Sequence, residues 1–173
     1  MWDYRVFPHQ ESEPSEWLGS ENAKEFPLHL ISNQPKNRLH GQMDNGSLSL
    51  SSKIKGREPA IINPNDASER DIEDGDVIKV FNNRGAMLAG ARLSDEIRRG
   101  VIRVHTGAWF DPIEPGVSGS LDKHGNPNVL TLDRGTSSLS QGPSSHSTLV
   151  EICKFTEELP EITAFQTPDI SED

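Results

Sequence analysis

The sequence predicts a mainly β domain with short helices, closed into a barrel and carrying long ordered loops. Apolar residues fall in short runs bounded by turn residues, and a long helical period is missing. Apolar content is only 32%, and 14 Gly and 12 Pro break up the rest; mean hydropathy is −0.62. An open sandwich built from the same strands satisfies the periodicity equally well, so pattern alone does not decide closure.

Residues 1–25 are rich in Glu, Pro and Ser and lack a period, as a linker or an arm from a preceding domain would be. Trp2, Tyr4, Phe7 and Trp17 are expected to pack against something. The barrel domain is expected over residues 26–156. Phe26–Ile31 is the first strand and Ala60–Ile62 the second. Asn63 then caps a short helix whose first residue is Pro64, where the missing N–H costs nothing. Asp74-Gly75-Asp76 turns into a strand at Val77–Phe81, and Asn82-Asn83-Arg84-Gly85 reads as a hairpin turn into Ala86–Leu93. Strands at Val101–His105 and Thr148–Phe155 complete the set, with an acidic tail over 157–173. Val77-Ile78-Lys79-Val80 echoes Val101-Ile102-Arg103-Val104. Two equivalent strands of a small barrel or chance explain that equally.

The net charge is −10, but its placement matters more than its size. Of the 27 acids, six lie in residues 1–25 and seven in 151–173, which leaves fourteen acids against fourteen bases in between. Nothing in the neutral body repels an anionic ligand, and the acidic ends read as solvated segments. One cysteine, Cys153, excludes an internal disulfide and a Cys-cluster metal site. It sits in an apolar strand, where a small core or face residue is the plainer reading than a reactive thiolate. No apolar run approaches the ~18 residues of a membrane span, and Met1–Gln10 lacks the apolar core of a secretory signal.

Two loops carry the chemistry. The first, Ser32 to Gln42, concentrates Asn, Gln, Lys36, Arg38 and His40 directly after a strand. Amides set a donor beside an acceptor, matching the edge of a pterin or guanine, while Lys36 and Arg38 offer charge for a phosphate. A solvated basic loop would have the same composition. The second, within the long stretch Thr106–Ser147, runs from His124 through Gln141 to Gly142, and its Gly and hydroxyl residues leave backbone N–H groups approachable. Such loops are also ordinary turns. Their length points to function or disorder, and Val129, Leu130, Leu132 and Leu139 are expected to anchor them.

Catalytic and metal readings find little. The six His are scattered without a metal-ligand spacing, and paired carboxylates lie in turns and tails. The chain looks built to hold a ligand, with no catalytic residue or metal ligand of its own.

These residues resemble a known family. Leu28 to Pro35, leading to Asn37-Arg38-Leu39-His40-Gly41-Gln42, is similar to the opening of the molybdopterin-dinucleotide-binding domain of the dimethyl sulfoxide reductase family. The likeness continues through Glu58 to Ala67, Val80 to Gly85, Leu88 to Ala91, Gly107-Ala108-Trp109, Gly125 to Thr131 and Thr136 to Gly142, in order across about residues 17–165. It is strongest to the biotin sulfoxide, trimethylamine N-oxide and dimethyl sulfoxide reductase branch.

The resemblance implies a six-stranded double-psi β-barrel and a bis(molybdopterin guanine dinucleotide) molybdenum cofactor lying against it. Ser32, Gln34, Arg38, His40 and Gln42 match the first cofactor-contacting loop, and Asn128, Thr136, Ser137 and Gln141 the late one. Gln34 stands where many relatives have His, and Gly41 where many have Ser, so no contact is expected at Gly41. Trp109 is expected to pack, at the border of the cofactor region.

The chain is then the C-terminal part of an oxide reductase, inactive alone, with the N-terminal domains of the same enzyme as its partner. Neither nucleic acid nor membrane is expected as a partner. The compartment, cytoplasm or periplasm, stays open because the native amino terminus is expected to lie ahead of Met1. Two rivals remain. A stand-alone double-psi barrel binding peptides would send the two loops apart and open an apolar groove elsewhere. A formate dehydrogenase or nitrate reductase domain is disfavoured by Asn126-Pro127-Asn128 and Thr136 to Gln141.

Overall fold

The computed structural model describes residues 16, 18–132, 139, 142 and 144–167. Six strands, β1 (Leu28–Ile31), β2 (Pro59–Ile62), β3 (Val77–Phe81), β4 (Ala86–Leu93), β5 (Val101–Val104) and β6 (Leu149–Lys154), form a closed barrel in the order β1-β5-β2-β4-β3-β6. The helices are short: α1 is Ser47–Leu50, α2 is Pro64–Ser68, and single 3-10 turns cover Glu21–Lys24 and Pro127–Leu130. This is the closed, mainly β, six-stranded architecture expected from the sequence.

Closure follows from strand alternation. Leu28 and Leu30, Ala60 and Ile62, Ile78 and Val80, Met87, Ala89 and Ala91, Ile102 and Val104, and Val150 and Ile152 all point inward and form one cluster. Each strand contributes every second residue, the period of a pleated strand. Ala89 and Ala91 keep β4 slim, so the larger side chains from the other strands fill the interior.

Strand pairing has an internal symmetry. β1 with β5 and β2 with β4 are parallel, and every other neighbouring pair is antiparallel. Exchanging β1 with β4, β2 with β5 and β3 with β6 leaves that pattern unchanged. The symmetry therefore couples β3 to β6, while the Val-Ile-Lys/Arg-Val echo links β3 to β5. The echo is two similar strands and no structural repeat.

Turn chemistry behaves as read. Asn63 Oδ1 accepts from Asn65 N at 3.0 Å, with Pro64 in the first turn of α2. Asn82 N donates to Gly85 O at 3.1 Å and closes the hairpin. Strand ends differ by a residue or two. β1 starts at Leu28 because Pro27 has no N–H for the ladder; Phe26 is buried, with its ring edge-on to Phe81. His105, Thr148 and Phe155 lie just outside their strands. Cys153 is exposed on β6.

The stretch after β5 is organised around one carboxylate. Asp122 is fully buried; its Oδ1 accepts from the N–H groups of His124, Gly125 and Asn126, and its Oδ2 from Asp111 N. Burial pushes its carboxyl upward, and those four donors work against the shift. Leu130 is buried and Val129 packs against the core, as expected of anchors. Leu139, expected among them, is 97% exposed and so is not an anchor against the described residues.

The described parts of both flanking segments dock; Trp2, Tyr4, Phe7 and Trp17, expected to pack, lie outside the described residues. Glu16, on the expected arm, is buried, pairs with the Arg84 guanidinium through two bonds at 3.0 and 3.2 Å, and accepts from Leu149 N. In the expected acidic tail, Thr163 N, Thr163 Oγ1 and Ala164 N all donate to the Asp111 carboxylate, and Arg57 donates to Pro160 O at 2.7 Å. Phe165 meets the rings of Trp109 and His124 edge-on. The tail is held through its backbone, a hydroxyl and one aromatic ring, so its charge does not keep it free in solvent.

Candidate functional site

Because β1 and β5 run parallel, their C-terminal ends emerge side by side, and the segments that follow them meet. After β1, the chain folds into a compact loop: Gln34 Nε2 donates to Arg38 O at 3.3 Å, and Gln42 N to Leu39 O at 2.9 Å. His40 takes a left-handed φ of 49°. After β5, Gly107 (φ 95°) approaches so closely that an added Cβ would lie 2.1 Å from the His40 carbonyl oxygen, so only glycine fits there.

The described start of the second loop is fixed as firmly. Asn126 caps the 3-10 turn Pro127–Leu130 through Asn128 N. Asn82 Nδ2 and Arg84 Nε both donate to Leu130 O. Gly85 leaves room for Val129, whose carbonyl oxygen would lie 2.6 Å from a Cβ at that position. Asn128 is left exposed at the start of the turn.

Between these walls lies a cleft of about 750 Å³. Ser32, Gln34 and His40 line it from the first loop, and Asn128 from the second. Gln42 is exposed on the same first loop but does not line the cleft. Thr136, Ser137 and Gln141 lie outside the described residues. Asn33, Thr106, Thr131, Ser145 and His146 also line it and had not been singled out. Thr106 is signalled only by the β1·β5 pairing, which the residue pattern does not contain; His146 sits where the loop returns to β6.

Arg38 differs from expectation. Its side chain has no exposure, and the guanidinium is fully occupied below the loop. Nε donates to His40 O at 3.1 Å, Nη1 to Ser49 Oγ at 3.2 Å and Nη2 to Thr106 O at 3.1 Å, and it pairs with Glu58 at 3.1 Å and Asp44 at 3.4 Å. Lys53 bridges the same two carboxylates, at 2.9 Å to Asp44 and 3.1 Å to Glu58. Every guanidinium nitrogen thus has a partner inside the fold and the side chain is buried away from the cleft; Lys36, by contrast, is exposed.

Burial alone would raise both carboxyls of this cluster. For Glu58 the His105 hydrogen bond and the cations Lys53 and Arg38 override it, and for Asp44 the Lys53 bond, the Trp109 N–H and the same cations do, so both sit below their ordinary values. Behind the cluster, His124 Nδ1 lies 2.8 Å from Trp109 O. A carbonyl oxygen cannot donate, so Nδ1 carries the proton and Nε2 is a bare acceptor. Nε2 is buried with no partner among the described residues, and burial followed by Lys53 repulsion lowers the pKa of His124. Trp109 Nε1 donates to Gly41 O at 2.6 Å, which makes Trp109 a brace for the first loop.

The cleft suits a polar, phosphate-bearing heterocycle. Among the described residues no Asp or Glu lines it, two imidazoles do, and the rest of its polar lining is amides and hydroxyls. Asn33 Nδ2 donates to Gln34 O at 3.1 Å, which fixes the amide orientation, and Oδ1 is left with no donor among the described residues. A ligand N–H answers that vacancy in the hydrogen-bond pattern. Among the described residues no group of three or more His, Cys, Asp or Glu is placed to hold a metal ion, so the cleft's own offer is hydrogen bonding.

Comparison with known proteins agrees. The chain is 46% identical over 156 residues to a dimethyl sulfoxide/trimethylamine N-oxide reductase of Cereibacter sphaeroides, covering 90% of this chain and 19% of that protein. It is 50% identical over 151 residues to a trimethylamine-N-oxide reductase of Salmonella typhi, covering 87% and 18%, and 49% identical over 140 residues to a biotin sulfoxide reductase of Cereibacter sphaeroides, covering 81% and 18%. The chain thus spans about a fifth of the length of these relatives. Acetylene hydratase from Pelobacter acetylenicus shares the fold, with a TM-score of 0.65 at 20% identity over 83% of this chain and 21% of that one. The two loops converge instead of diverging, which sets aside the peptide-binding barrel. Residues 28–149 match the molydopterin dinucleotide binding domain, and the chain belongs to that family.

Proposed function

We propose that this chain is the cofactor-orienting C-terminal domain of a molybdenum enzyme that reduces S-oxides or N-oxides, and that its cleft takes part of a bis(molybdopterin guanine dinucleotide). The observation that carries this reading is the meeting of Ser32, Gln34, His40 and Asn128 on one cleft that no Asp or Glu lines among the described residues. The names of the relatives, dimethyl sulfoxide, trimethylamine N-oxide and biotin sulfoxide reductases, support the oxide class. Bound, the group supplies the electron transfer that cleaves an N–O or S–O bond. The protein's part is binding and orientation.

Asn128 and Gln34 present amides to a heterocycle edge, Ser32 and Thr106 add hydroxyls, and His40 and His146 face the ligand with imidazoles. Gln42, Thr136, Ser137 and Gln141 remain candidate contacts on the same two loops. The metal's own protein ligand, and the preceding domains that complete the pocket, belong to the remaining four fifths of the relatives' length.

The test uses the full-length enzyme containing this domain. His40→Ala and Asn128→Ala, purified from a cofactor-producing host, are expected to carry several-fold less molybdenum and releasable GMP per chain than wild type, since such polar contacts are each worth about 1 kcal/mol or more. Full cofactor content in both variants would remove the cleft from the cofactor site.

A further inference from the structure

Arg38 is a candidate contact whose side chain is buried away from the cleft, yet it is bonded to two of the residues that line it. His40 and Thr106 both bound the cleft, and their carbonyls accept from Nε and Nη2 of the same guanidinium at 3.1 Å each. We propose that Arg38 is a positioning residue for the dinucleotide: without touching it, the guanidinium clamps the post-β1 and post-β5 turns together and sets the spacing of the cleft wall. This rests on the reading of the cleft given above.

Three observations favour geometry over charge. The guanidinium is planar and its donors diverge at fixed angles, so one side chain reaches two carbonyls on different turns, which an ammonium on a flexible stem does not reproduce. His40 is held in the left-handed region at φ 49°, a conformation that persists in a non-glycine residue only where its surroundings over-determine it. The carbonyl that the clamp holds is also the one that Gly107 approaches so closely that a Cβ would lie 2.1 Å from its oxygen. Finally, Arg38 and Lys53 are matched by Asp44 and Glu58, all four at 1% side-chain exposure or less. Two cations and two anions cancel, so the cluster offers the cleft no net charge to attract a phosphate.

In the full-length enzyme, Arg38→Lys keeps a cation against Asp44 and Glu58 and removes the fork. The expected result is soluble enzyme whose molybdenum and releasable GMP fall about tenfold, the scale of losing a group that orients ligand-binding residues from behind. The fraction still loaded should show an altered electron paramagnetic resonance spectrum of the molybdenum. The loss is expected to be the same at low and high salt, whereas a direct phosphate counter-ion gives a loss that grows with salt. Wild-type content with an unaltered spectrum, or a salt-dependent loss, overturns the proposal.

Should Arg38→Lys prove insoluble, Gly107→Ala decides, because its Cβ meets the His40 carbonyl that Nε holds and leaves the four buried charged side chains unchanged. Cofactor loss there supports the clamp, and wild-type content overturns it. Asn128→Ala separates the two levels of argument. If it loses cofactor while Arg38→Lys and Gly107→Ala keep it, the cleft stands and the clamp fails. If all three keep it, the reading of the cleft is what failed, and the clamp goes with it.

Discussion

Glu58, at 1% exposure, holds its negative charge against three partners: Arg38 and Lys53 at 3.1 Å and His105 at 3.5 Å. Removing one partner of a buried ionic cluster leaves uncompensated charge, which costs about 3–5 kcal/mol. Glu58→Gln is therefore expected to lose that much stability by urea unfolding, and a loss under about 1 kcal/mol would mean the cluster is hydrated. The same groups set an acid limit. His29 and His124 are both lowered from 6.5, each mainly by burial, so their neutral forms belong to the folded state. Their contribution is complete above 6.5 and is lost as pH falls from there toward the folded values. Asp44 and Glu58, lowered from 3.8 and 4.5, are stabilising above those values and lose that as pH falls through the folded ones. Asp122 shifts upward and offsets part of the second loss. The urea midpoint should accordingly begin to decline below about pH 6.5 and steepen below about pH 4; a midpoint unchanged between pH 7.5 and 5 contradicts the histidine half. At this scale the cap at Asn63 was legible, since Asn before Pro states its own role. Arg38 was not. A guanidinium that grips a phosphate and one that grips two carbonyls are the same residue in a sequence, and burial alone separates them.

Among the elements, β3 and β4 were readable to the residue, because Gly75-Asp76 and Asn82 to Gly85 punctuate both ends. The inward residues alternate along each strand. Ile102, wholly buried in the middle of β5, tests that assignment: Ile102→Ala should cost about 2–5 kcal/mol in chemical unfolding, and a cost near that of a surface change would mean the strand faces outward. Which strands lie side by side was not legible. The pairing of His29 with Val101 and of Pro59 with Gly90 joins distant, parallel segments, and no local signal specifies such a partner. This is why Thr106 was missed: its place at the cleft depends wholly on β5 lying beside β1.

For the whole molecule, the convergence of the two loops required a resemblance to anticipate and coordinates to see. Composition described the ends as solvated acid, but Glu16 and Pro160 to Phe165 are bound to the barrel. Deleting residues 160–173 should strip three donors from the Asp111 carboxylate, leaving it the Lys123 ion pair, and bare the Trp109 and His124 rings. The expected outcome is a lower melting temperature, by about 2–4 °C per kcal/mol for a chain of this size, and an unchanged melting curve would show that docking contributes nothing. Charge counts alone could not reveal this, since the tail is fastened by amide N–H groups and one phenyl ring.

Cys153 is the single thiol of the chain, exposed on the strand that leaves Ser145 and His146 at the cleft. Four residues into β6 from Leu149, it stands about 13 Å along the strand from that end. A fluorophore or nitroxide attached there would ride on the rigid wall of the barrel without crowding a guest in the cleft, and would report arrival of that guest as a measurable distance.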